Sequence, residues 1–465
     1  MTRRLLASLL AIALTGSVAR AEDPTKRRFD PDPSRLALSL DPAFTTETAG
    51  AADAKTWSLG AIVDLSSGLL SLQLGGETDQ VLSKRLSLHL LGGYSFGWME
   101  IAAEVPVALW QQSDLSLLEQ QLCAFRPDLF ACGQGADAAT VERLAHLPGS
   151  HKATLEEIAA HPDVDIVLIA TSGTAGLPAA IAALELGKTV ALANKEILVI
   201  AGALLRQAAS RGGGELRPVD SEHSAIWQCL WGEQGRPARL ILTASGGALR
   251  DLPLAQLESV SPRDALQHPT WDMGPKITVD SATLLNKGLE TIEARWLFDV
   301  PLEQIDVVQH RESIVHSLVE LADGSVKAQL GYPDMRLPIQ CAITYPERVP
   351  LGGSRPLDLI QVGKLTFEAI DPARFPCLGL AMEAGRRGGT FPAVLVGADE
   401  VAVEKFLAGR LGFMEIPLLI EAALTEHRAI PKPALNDVLE AGVWARTWAE
   451  HWVHGRPAQR AQAVL

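Results

Sequence analysis

The chain has 465 residues, of which 47% are apolar and 21% charged, and its formal net charge is −14. This length allows two to four domains, each large enough to bury a core. The negative charge and the lack of a Lys/Arg-rich patch with interleaved aromatics argue against a nucleic-acid partner. A small anionic substrate stays compatible, because a pocket can be cationic on an acidic protein. The five cysteines form no C-x-x-C pair, which favours buried free thiols over disulfides or zinc.

The first 21 residues have the pattern of a secretory signal. Two arginines, Arg3 and Arg4, precede an apolar run from Leu5 to Leu14, and an A-x-A site ends at Ala21. A short buried or amphipathic helix is the alternative interpretation. No later stretch reaches the ~18 apolar residues that a membrane-spanning helix needs.

Residues 22–114 form a second segment of different character. It is rich in Pro, Asp and Thr up to residue 56, which predicts irregular structure. Apolar and polar residues then alternate between Trp57 and Trp110, which predicts antiparallel strands. Behind a signal sequence, the strands are typical of an exported β-hairpin layer or of part of an outer-membrane barrel. About three such segments are too few to close a barrel of ~8 strands, and both interpretations stay open.

From Leu115 onward, predicted strands and helices alternate. "DLFAC", "VDIVLIATS" and "KTVALAN" are strands, separated by helical patterns such as "LPAAIAALELG", which Gly187 closes. This order predicts parallel βαβ units. "ARLILTAS" and "GPKITVDS" are further predicted strands, and the chain after "GGSRPLD" is mostly helical.

The predicted fold class is therefore α/β. It combines an incomplete Rossmann-like parallel sheet, an α/β catalytic domain and a C-terminal helical domain with the β-rich N-terminal segment. The predicted boundaries are 115–218 for the partial dinucleotide-binding domain, 219–350 for the catalytic domain, 351–365 for a linker and 366–465 for the helical domain.

The stretch "RPVDSEHSAIWQCL" is the first candidate site. Asp220 or Ser221 could simply cap a helix that starts near Ala225. If the segment begins extended, however, Asp220 and Glu222 point the same way, and two carboxylates repel unless a cation or proton lies between them. Oxygen ligands of this kind suit Mg²⁺ or Mn²⁺ rather than zinc.

A second candidate site lies in "GPKITVDSATLLNKGLETIEARW". Asn286 and Glu290 share a helix face, and Lys287 lies three residues before Glu290. Ser281 is expected near the helix N-terminus, where anions are favoured. This set predicts a phosphate cradle with Glu290 joining the metal. The alternative is an amphipathic surface helix, against which Gly288 argues because a mid-helix glycine costs about 1 kcal/mol.

Three shorter motifs could complete a pocket. Ser245-Gly246-Gly247 follows a strand and would let the backbone approach a ligand, although a plain turn explains it equally well. "QHPTWDMGPK" could form a covering loop or a surface loop pinned by Trp271. "ALANKEILV" places Asn194-Lys195-Glu196 at a strand end, where ligands bind parallel sheets; a solvated turn is the alternative.

Together the segments resemble the 1-deoxy-D-xylulose 5-phosphate reductoisomerase family. The resemblance runs from about Leu115 to near the C-terminus, through "GKTVALANKEILV", "PVDSEHSAIWQCL", "TASGGALRD", "HPTWDMGPKITVDSATLLNKGLETIEARWLFD" and "VHSLVELADGSVKAQLGYPDMRLPI". It implies an NADPH-dependent, Mg²⁺- or Mn²⁺-dependent enzyme that converts 1-deoxy-D-xylulose 5-phosphate to 2-C-methyl-D-erythritol 4-phosphate in isoprenoid synthesis. The implied chemistry is a retro-aldol and aldol rearrangement followed by hydride transfer. The family also implies a homodimer, with the enzyme part in the cytoplasm.

The resemblance assigns roles to individual residues. It implies metal binding by Asp220, Glu222 and Glu290. It implies catalytic roles for Lys195, Glu222, His268 and His316. It implies substrate binding by Ser221, Ser245, His268, Trp271, Ser281, Asn286 and Lys287, with Met273 in the lid, and cofactor binding by Asn194, Glu196 and Gly274.

The N-terminal part departs from the family pattern. The family opens with a strand, a glycine-rich turn of the type GSTGSIG and a helix that bind the NADPH phosphates, and residues 1–114 contain no such turn. "GQGADA", residues 133–138, matches G-x-G-x-x-A, but "HLPGSHKATLEE" after it does not predict the following strand that the fingerprint needs. We therefore expect impaired NADPH binding. "HRES" at His310–Ser313 and "VGADE" at Val396–Glu400 also depart from the family, which has Pro and Gln in the first and an Asn-rich turn in the second.

Three hypotheses remain. The first is a reductoisomerase-like enzyme, fused or truncated at its cofactor domain. The second is an exported or outer-membrane β protein that carries an inactive remnant, in which case the N-terminal segment is its contact with the envelope. The third is a module that binds a sugar phosphate without turnover.

Overall fold

The computed structural model describes residues 151–271 and 273–455. Upstream it describes strands between residues 57 and 111, with residues 118, 122–123, 127–132, 142 and 144. The predicted signal-like segment, residues 1–21, and the predicted irregular stretch up to residue 56 lie outside the described residues.

The predicted antiparallel strands between Trp57 and Trp110 are confirmed. β1, β4 and β5 form an antiparallel sheet in the order β1-β4-β5, and β2 pairs with β3 as a separate hairpin. The strands span Trp57–Ser66 (β1), Leu70–Leu74 (β2), Glu77–Leu82 (β3), Arg85–Ser95 (β4) and Glu100–Val105 (β5).

A short parallel sheet follows. β6 (Trp110–Gln111) and β8 (His151–Lys152) flank β7 (Leu129–Cys132), which confirms the strand predicted at "DLFAC". The prediction that no strand follows "GQGADA" was wrong, because β8 pairs with β7 through backbone hydrogen bonds such as His151 N to Asp128 O at 2.8 Å. Residues 133–138 themselves lie outside the described residues.

A second parallel sheet confirms the predicted βαβ units. Its order is β11-β10-β9, with β9 at Ile166–Ile169, β10 at Thr189–Leu192 and β11 at Glu215–Pro218. The connections are α2 (Leu177–Glu185) and α3 (Lys195–Gly212), and α1 (Leu155–Ala160) precedes them. Gly187, at a φ of 76°, ends α2 as predicted, since glycine tolerates this left-handed conformation.

A five-stranded sheet carries the central region. Its order is β15-β14-β12-β13-β16; β12 and β13 are parallel and the other pairs antiparallel. The strands are β12 (Arg239–Ala244), β13 (Ile305–Gln309), β14 (Val315–Glu320), β15 (Val326–Leu330) and β16 (Glu368–Ala369). The helices of this region are α4 (Ser221–Leu230), α5 (Pro262–Ala265), α6 (Pro275–Thr283), α7 (Leu285–Phe298), α8 (Arg336–Thr344) and α9 (Leu359–Val362), with 3₁₀ turns at Leu254–Ser259 and Leu302–Gln304. β16 lies beyond the predicted linker 351–365, and the domain boundaries stay predictions.

The strand predicted at "GPKITVDS" was wrong, because these residues form α6. Pro275 occupies the first helical position, where its fixed φ favours a helix and its missing N–H is not needed. The Thr278 hydroxyl donates to Gly274 O at 2.8 Å, so this β-branched side chain is accommodated within the first turn. Burial of Val279 in the main core then outweighs the strand preference of Ile-Thr-Val.

The C-terminal part is helical, as predicted. Its helices are α10 (Pro376–Arg387), α11 (Phe391–Leu407), α12 (Glu415–Glu426) and α13 (Leu435–His454). They share one apolar core with α3 and α7, in which Leu198, Leu289, Val394 and Ile420 are fully buried. Burying each such side chain contributes roughly 1.5–3 kcal/mol. Among the described residues, no helix combines the length and apolar character required to cross a membrane.

Candidate active site

The candidate site lies where several strands end. Lys195 and Asp220 follow β10 and β11, and Ser245 and His310 follow the parallel strands β12 and β13. β14 runs antiparallel to β12, so its first residues, including His316, lie at the same edge. These residues line one cavity of 570 Å³. The carboxyl edge of a parallel sheet is the usual ligand position in such folds.

Three carboxylates converge in this cavity. Asp220 and Glu222 begin α4, Glu290 lies on α7, and one oxygen from each lies within 4.8 Å of the others. The helix starts at Ser221 rather than near Ala225, and Asp220 occupies its N-cap position without making a capping hydrogen bond through its side chain. The Ser221 hydroxyl donates to Glu222 Oε2 at 2.6 Å instead of capping.

Two buried lysines neutralise part of this charge. Lys195 Nζ lies 2.7 Å from Asp220 Oδ2 and 3.2 Å from Glu290 Oε1. Lys287 Nζ lies 2.8 Å from Glu222 Oε1 and also contacts Glu290 Oε2. Three carboxylates thus face two ammonium groups, which leaves one negative charge in excess.

The pKa shifts follow from this balance. Burial raises the pKa of the Asp220 carboxyl, but the Lys195 ammonium more than offsets it and the pKa falls below its usual range. Burial and the neighbouring Glu222 carboxylate raise the pKa of Glu290 to about 7, despite Lys287 and Lys195. Burial disfavours the Lys195 ammonium, yet the surrounding carboxylates, Asp220 first, raise its pKa well above the ordinary value.

A second, fully buried layer lies behind the carboxylates. His223 Nε2 donates to the Glu290 carbonyl at 2.9 Å, since a carbonyl can only accept. Its Nδ1 faces Glu293 Oε2 at 3.7 Å and Asp220 Oδ2 at 3.9 Å. Sequence reasoning gave neither His223 nor Glu293 a site role. The available signal was the spacing, because each lies three residues after a predicted metal ligand.

The predicted phosphate-binding residues lie in the same cavity. Ser245, Ser281, Asn286 and Lys287 all line it, and Asn286 Nδ2 donates to Glu290 Oε1 at 2.6 Å, as their shared helix face predicts. The position expected for Ser281 was wrong, because it lies in the last turn of α6 and not at a helix N-terminus.

The glycines beside Ser245 explain how two of these segments meet. Gly247 has a φ of 68°, and a Cβ at this position would lie 2.5 Å from Ser281 O. Only glycine therefore lets the Ser245 turn pack against the end of α6.

The loop predicted to cover a pocket does line the cavity, through His268, Trp271 and Met273. His268 Nδ1 accepts from Trp271 N at 2.9 Å and Thr270 N at 3.2 Å. The proton of the neutral ring is therefore on Nε2, which donates to Ser245 Oγ at 2.9 Å. Burial and the nearby Arg250 lower the pKa of His268 to about 4. A neutral imidazole thus ties the loop to the Ser245 turn.

Two further histidines belong to the cavity wall. His316, a predicted site residue, lines the cavity, and burial lowers its pKa. His310 was not predicted as a site residue. Its Nε2 accepts from Ile314 N and Val315 N at 3.2 and 3.1 Å, while Nδ1 donates to Thr366 O at 2.8 Å. His310 thereby fixes the turn that precedes β14.

The predicted cofactor-binding residues divide into two groups. Gly274 lines the cavity, whereas Asn194 and Glu196 are not among its lining residues. Asn194 Oδ1 accepts from Ile197 N at 3.1 Å, and its amide donates to Gly173 O at 2.8 Å. Asn194 therefore caps α3 and ties the loop after β9 to the end of β10.

All other predicted site residues line the cavity. They are Lys195, Asp220, Ser221, Glu222, Ser245, His268, Trp271, Met273, Ser281, Asn286, Lys287, Glu290 and His316.

Comparison with known proteins identifies the family. The protein-family model described as 1-deoxy-D-xylulose 5-phosphate reductoisomerase matches residues 99–202. Two family models of reductoisomerase C-terminal domains match residues 216–298 and 330–448. The enzyme of this name from Thermomicrobium roseum is 50% identical over 391 residues, covering 81% of this chain and 100% of the relative. The chain belongs to the 1-deoxy-D-xylulose 5-phosphate reductoisomerase family. The Heliobacterium modesticaldum reductoisomerase is 48% identical over 388 residues, covering 81% of this chain and 94% of its own.

Solved reductoisomerase structures confirm the α/β fold class. The Zymomonas mobilis enzyme in complex with NADPH matches with a TM-score of 0.69 and 38% identity, over 75% of this chain and 92% of that one. A reductoisomerase in complex with NADPH, fosmidomycin and magnesium matches with a TM-score of 0.70 and 38% identity, over 75% and 91%.

The predicted fusion finds no support in these comparisons. The family match extends upstream of Leu115 to residue 99, and the Thermomicrobium reductoisomerase is matched along its entire length.

Proposed function

We propose that this chain catalyses the metal-dependent rearrangement and NADPH-dependent reduction of 1-deoxy-D-xylulose 5-phosphate to 2-C-methyl-D-erythritol 4-phosphate. One observation carries the proposal. The carboxylates of Asp220, Glu222 and Glu290 converge in a cavity that is also lined by hydroxyl, amide and ammonium groups suited to bind a phosphate. The names of the matched relatives and the family membership support the same reaction.

The acidic residues fit a hard divalent cation. All three offer carboxylate oxygens within 4.8 Å of one another, and the excess negative charge favours Mg²⁺ or Mn²⁺. A matched reductoisomerase structure contains magnesium. When bound, the ion would polarise adjacent carbonyl and hydroxyl oxygens of the substrate.

The remaining cavity residues bind and orient the substrate. Ser245, Ser281, Asn286 and Lys287 supply hydroxyl, amide and ammonium donors for the phosphate. Lys195 lies between Asn286 and Asp220, and so it can contact substrate oxygens beside the metal ligands.

The covering loop and His316 complete the substrate site. With the His268 loop closed over the cavity, Trp271 and Met273 would exclude water during reaction. His316 is a neutral donor or acceptor on the β14 side.

NADPH is the proposed reductant, with Gly274 and the neighbouring Asn194 and Glu196 on its nicotinamide side. Matched structures contain NADPH. Because residues 1–114 contain no turn of the GSTGSIG type, we propose weaker binding of the NADPH phosphates than in the relatives that have one.

The assembly and compartment are also proposals. We propose a homodimer and a cytoplasmic location for the enzyme part, with export directed by residues 1–21 as the competing location. Cell fractionation with an antibody against the full chain separates the two locations.

Turnover is tested by following NADPH oxidation with 1-deoxy-D-xylulose 5-phosphate and Mg²⁺, and by identifying the product by mass spectrometry. A matched control is Lys405→Met, which removes a lysine that bridges Glu404 and Glu450 and does not line the cavity. Product formation that Lys405→Met retains and chelation abolishes supports the proposal. Tight binding of the sugar phosphate without product would instead support the binding module, a function favoured by the missing glycine-rich turn.

A further inference from the structure

A second charged cluster lies outside the cavity residues discussed above. Lys276 on α6 contacts Asp280 one helical turn later, and its Nζ lies 2.7 Å from Asp399 Oδ2 on α11. Asp399 is fully buried and Asp280 is 2% exposed, whereas a third of the Lys276 side chain is accessible. Among the described residues, Asp280 Oδ1 and Asp399 Oδ1 have no hydrogen-bond partner. Two buried carboxyl groups therefore contact the same ammonium group.

The position of α6 gives this cluster a consequence for the site. α6 begins at Pro275, directly after Met273 and Gly274, and its last turn carries Ser281. All three of these flanking residues line the cavity. The Lys276–Asp399 contact joins α6 to α11, whose side chains form much of the C-terminal core.

Apolar contacts also hold α6, since Val279 and Ala282 are buried in the main core. Leu284, which follows α6, has a φ of 56°, a strained conformation that breaks the helix before α7. α6 is therefore a short helix that connects the covering loop to Ser281 of the phosphate-binding residues. Lys276 contacts Asp399 and so links α6 to the C-terminal core through buried polar groups.

We propose that the Lys276–Asp280–Asp399 cluster is a positioning unit that sets the orientation of α6, and thereby holds Ser281 and the base of the covering loop in their substrate-binding positions. This role rests on the proposed function, and none of the three residues is assigned a contact with substrate. The cluster also contains two acids for one lysine. Without Lys276 the two buried acids would lose the ammonium group that contacts both of them, and since two adjacent buried carboxyl groups do not both stay ionised, no charge pair would join α6 to α11.

The charged and titratable groups around Asp399 come from several elements. They are Lys276 and Asp280 on α6, Cys377 on α10, Glu400 on α11, and two residues of α3: Glu196, which acts on Lys276 and Asp280, and Lys195, which acts on Asp280. Burial and the Asp280 carboxylate raise the pKa of Asp399 to about 8, even with Lys276 present. The folded state therefore retains a proton on Asp399 that the unfolded chain releases near its ordinary value of 3.8.

The first experiment compares Lys276→Met, Lys276→Arg and the control Lys405→Met in the full chain. We expect Lys276→Met to raise KM for the sugar phosphate about tenfold or more, because small misplacements of binding groups have large effects. Lys276→Arg should recover most of this loss, since it keeps the charge. Hydrogen exchange of the α6 amides should accelerate in Lys276→Met and stay unchanged in Lys405→Met. Wild-type KM and unchanged exchange in Lys276→Met would overturn the proposal.

The second experiment uses Asp399→Asn, which keeps an oxygen acceptor for Lys276 and removes the titrating carboxyl group. The proton that Asp399 holds in the folded state stabilises the wild-type protein fully below the ordinary Asp399 pKa of 3.8. This contribution is lost as pH rises through the folded Asp399 pKa of about 8. The melting temperature of Asp399→Asn relative to wild type should therefore increase between about pH 4 and about pH 8. A difference in melting temperature that does not change with pH would show that folded Asp399 holds no extra proton, and it would overturn this account of the cluster. If wild-type protein gives no product, the proposed function fails, while the exchange and melting measurements still decide this proposal.

Discussion

Lys195 on α3 donates to Asn286 on α7 across 2.7 Å, although 91 residues separate them in sequence. This contact joins the end of the parallel sheet to the helix that carries Glu290 and Lys287. Because Lys195 also lies 2.7 Å from Asp220, one ammonium group links both halves of the acidic site. The same geometry predicts which substitutions affect catalysis and which affect binding.

The acidic residues are expected to control metal-dependent turnover. Asp220→Asn, Glu222→Gln and Glu290→Gln each remove one negative charge from the site and should lower kcat by about 100-fold or more, which corresponds to about 3 kcal/mol of lost transition-state stabilisation. The measurement is NADPH oxidation against Mg²⁺ concentration, with metal binding followed separately by calorimetry. Unchanged metal affinity in all three variants would contradict the assignment.

Substitutions in the phosphate cradle should act mainly on binding. Ser281→Ala and Lys287→Met remove donors to a charged group, each worth about 1.5–3 kcal/mol, and should raise KM for the sugar phosphate by about 10- to 100-fold. A smaller effect on kcat is expected, because the phosphate is bound equally in ground and transition states. Lys287 also contacts Glu222, so Ser281→Ala is the cleaner test. A fall in kcat at unchanged KM for Ser281→Ala would place the serine in the chemical step.

The sequence predicted which residues meet in one cavity better than it predicted their local structure. Lys195, Asp220, Ser245 and Glu290 were assigned through motif spacing and family resemblance, and all line one cavity. The strand predicted over residues 277–279 was wrong because β-branched residues suggest a strand, whereas Pro275 and burial in the core determine a helix.

Other features depend on contacts between distant segments. Glu293 lies behind the carboxylates because α7 packs against α4, and Asp399 meets Lys276 only because α11 packs against α6. The spacing to Glu290 was the available sequence signal for Glu293, and the Lys276–Asp399 pairing had no local signal. The acid at residue 399 was visible as a departure from the family pattern, but its partner was not.

His268 should titrate far below an ordinary histidine. Its Nδ1 accepts two backbone N–H groups and its Nε2 donates to Ser245, and burial with Arg250 lowers its pKa to about 4. Because the folded pKa is depressed below the ordinary 6.5, the neutral ring stabilises the loop above pH 6.5, and this contribution is lost as pH falls towards 4. An imidazole NMR titration, assigned with His268→Gln, should give a midpoint near 4. A midpoint near 6.5 would show that the ring is not held in this geometry.

NADPH affinity should be lower in this chain than in a relative. Backbone N–H groups of a glycine-rich turn at a helix N-terminus bind the cofactor phosphates in such folds, and the first 114 residues contain no such turn. Fluorescence titration of this full chain and of the Thermomicrobium roseum enzyme, side by side, should give a Kd higher by about tenfold or more here, a difference of about 1.4 kcal/mol. Equal affinities would mean that another segment supplies the phosphate contacts. Substitutions in "GQGADA", residues 133–138, would then be the first test of which segment it is.

Gly288 tests the packing that holds α7 in place. A Cβ there would lie 2.3 Å from Ala381 Cβ of α10, so Gly288→Ala should destabilise the protein by about 1–3 kcal/mol of overpacking. The helix preference for alanine offsets about 1 kcal/mol of this cost. Gly379→Ala on α10 is the matched control, because a Cβ there meets nothing within 4 Å and should leave stability unchanged or slightly increased. Urea unfolding measures both. Adding Ala381→Gly should restore the stability of Gly288→Ala, and its failure to do so would mean that the helices do not approach each other at this point.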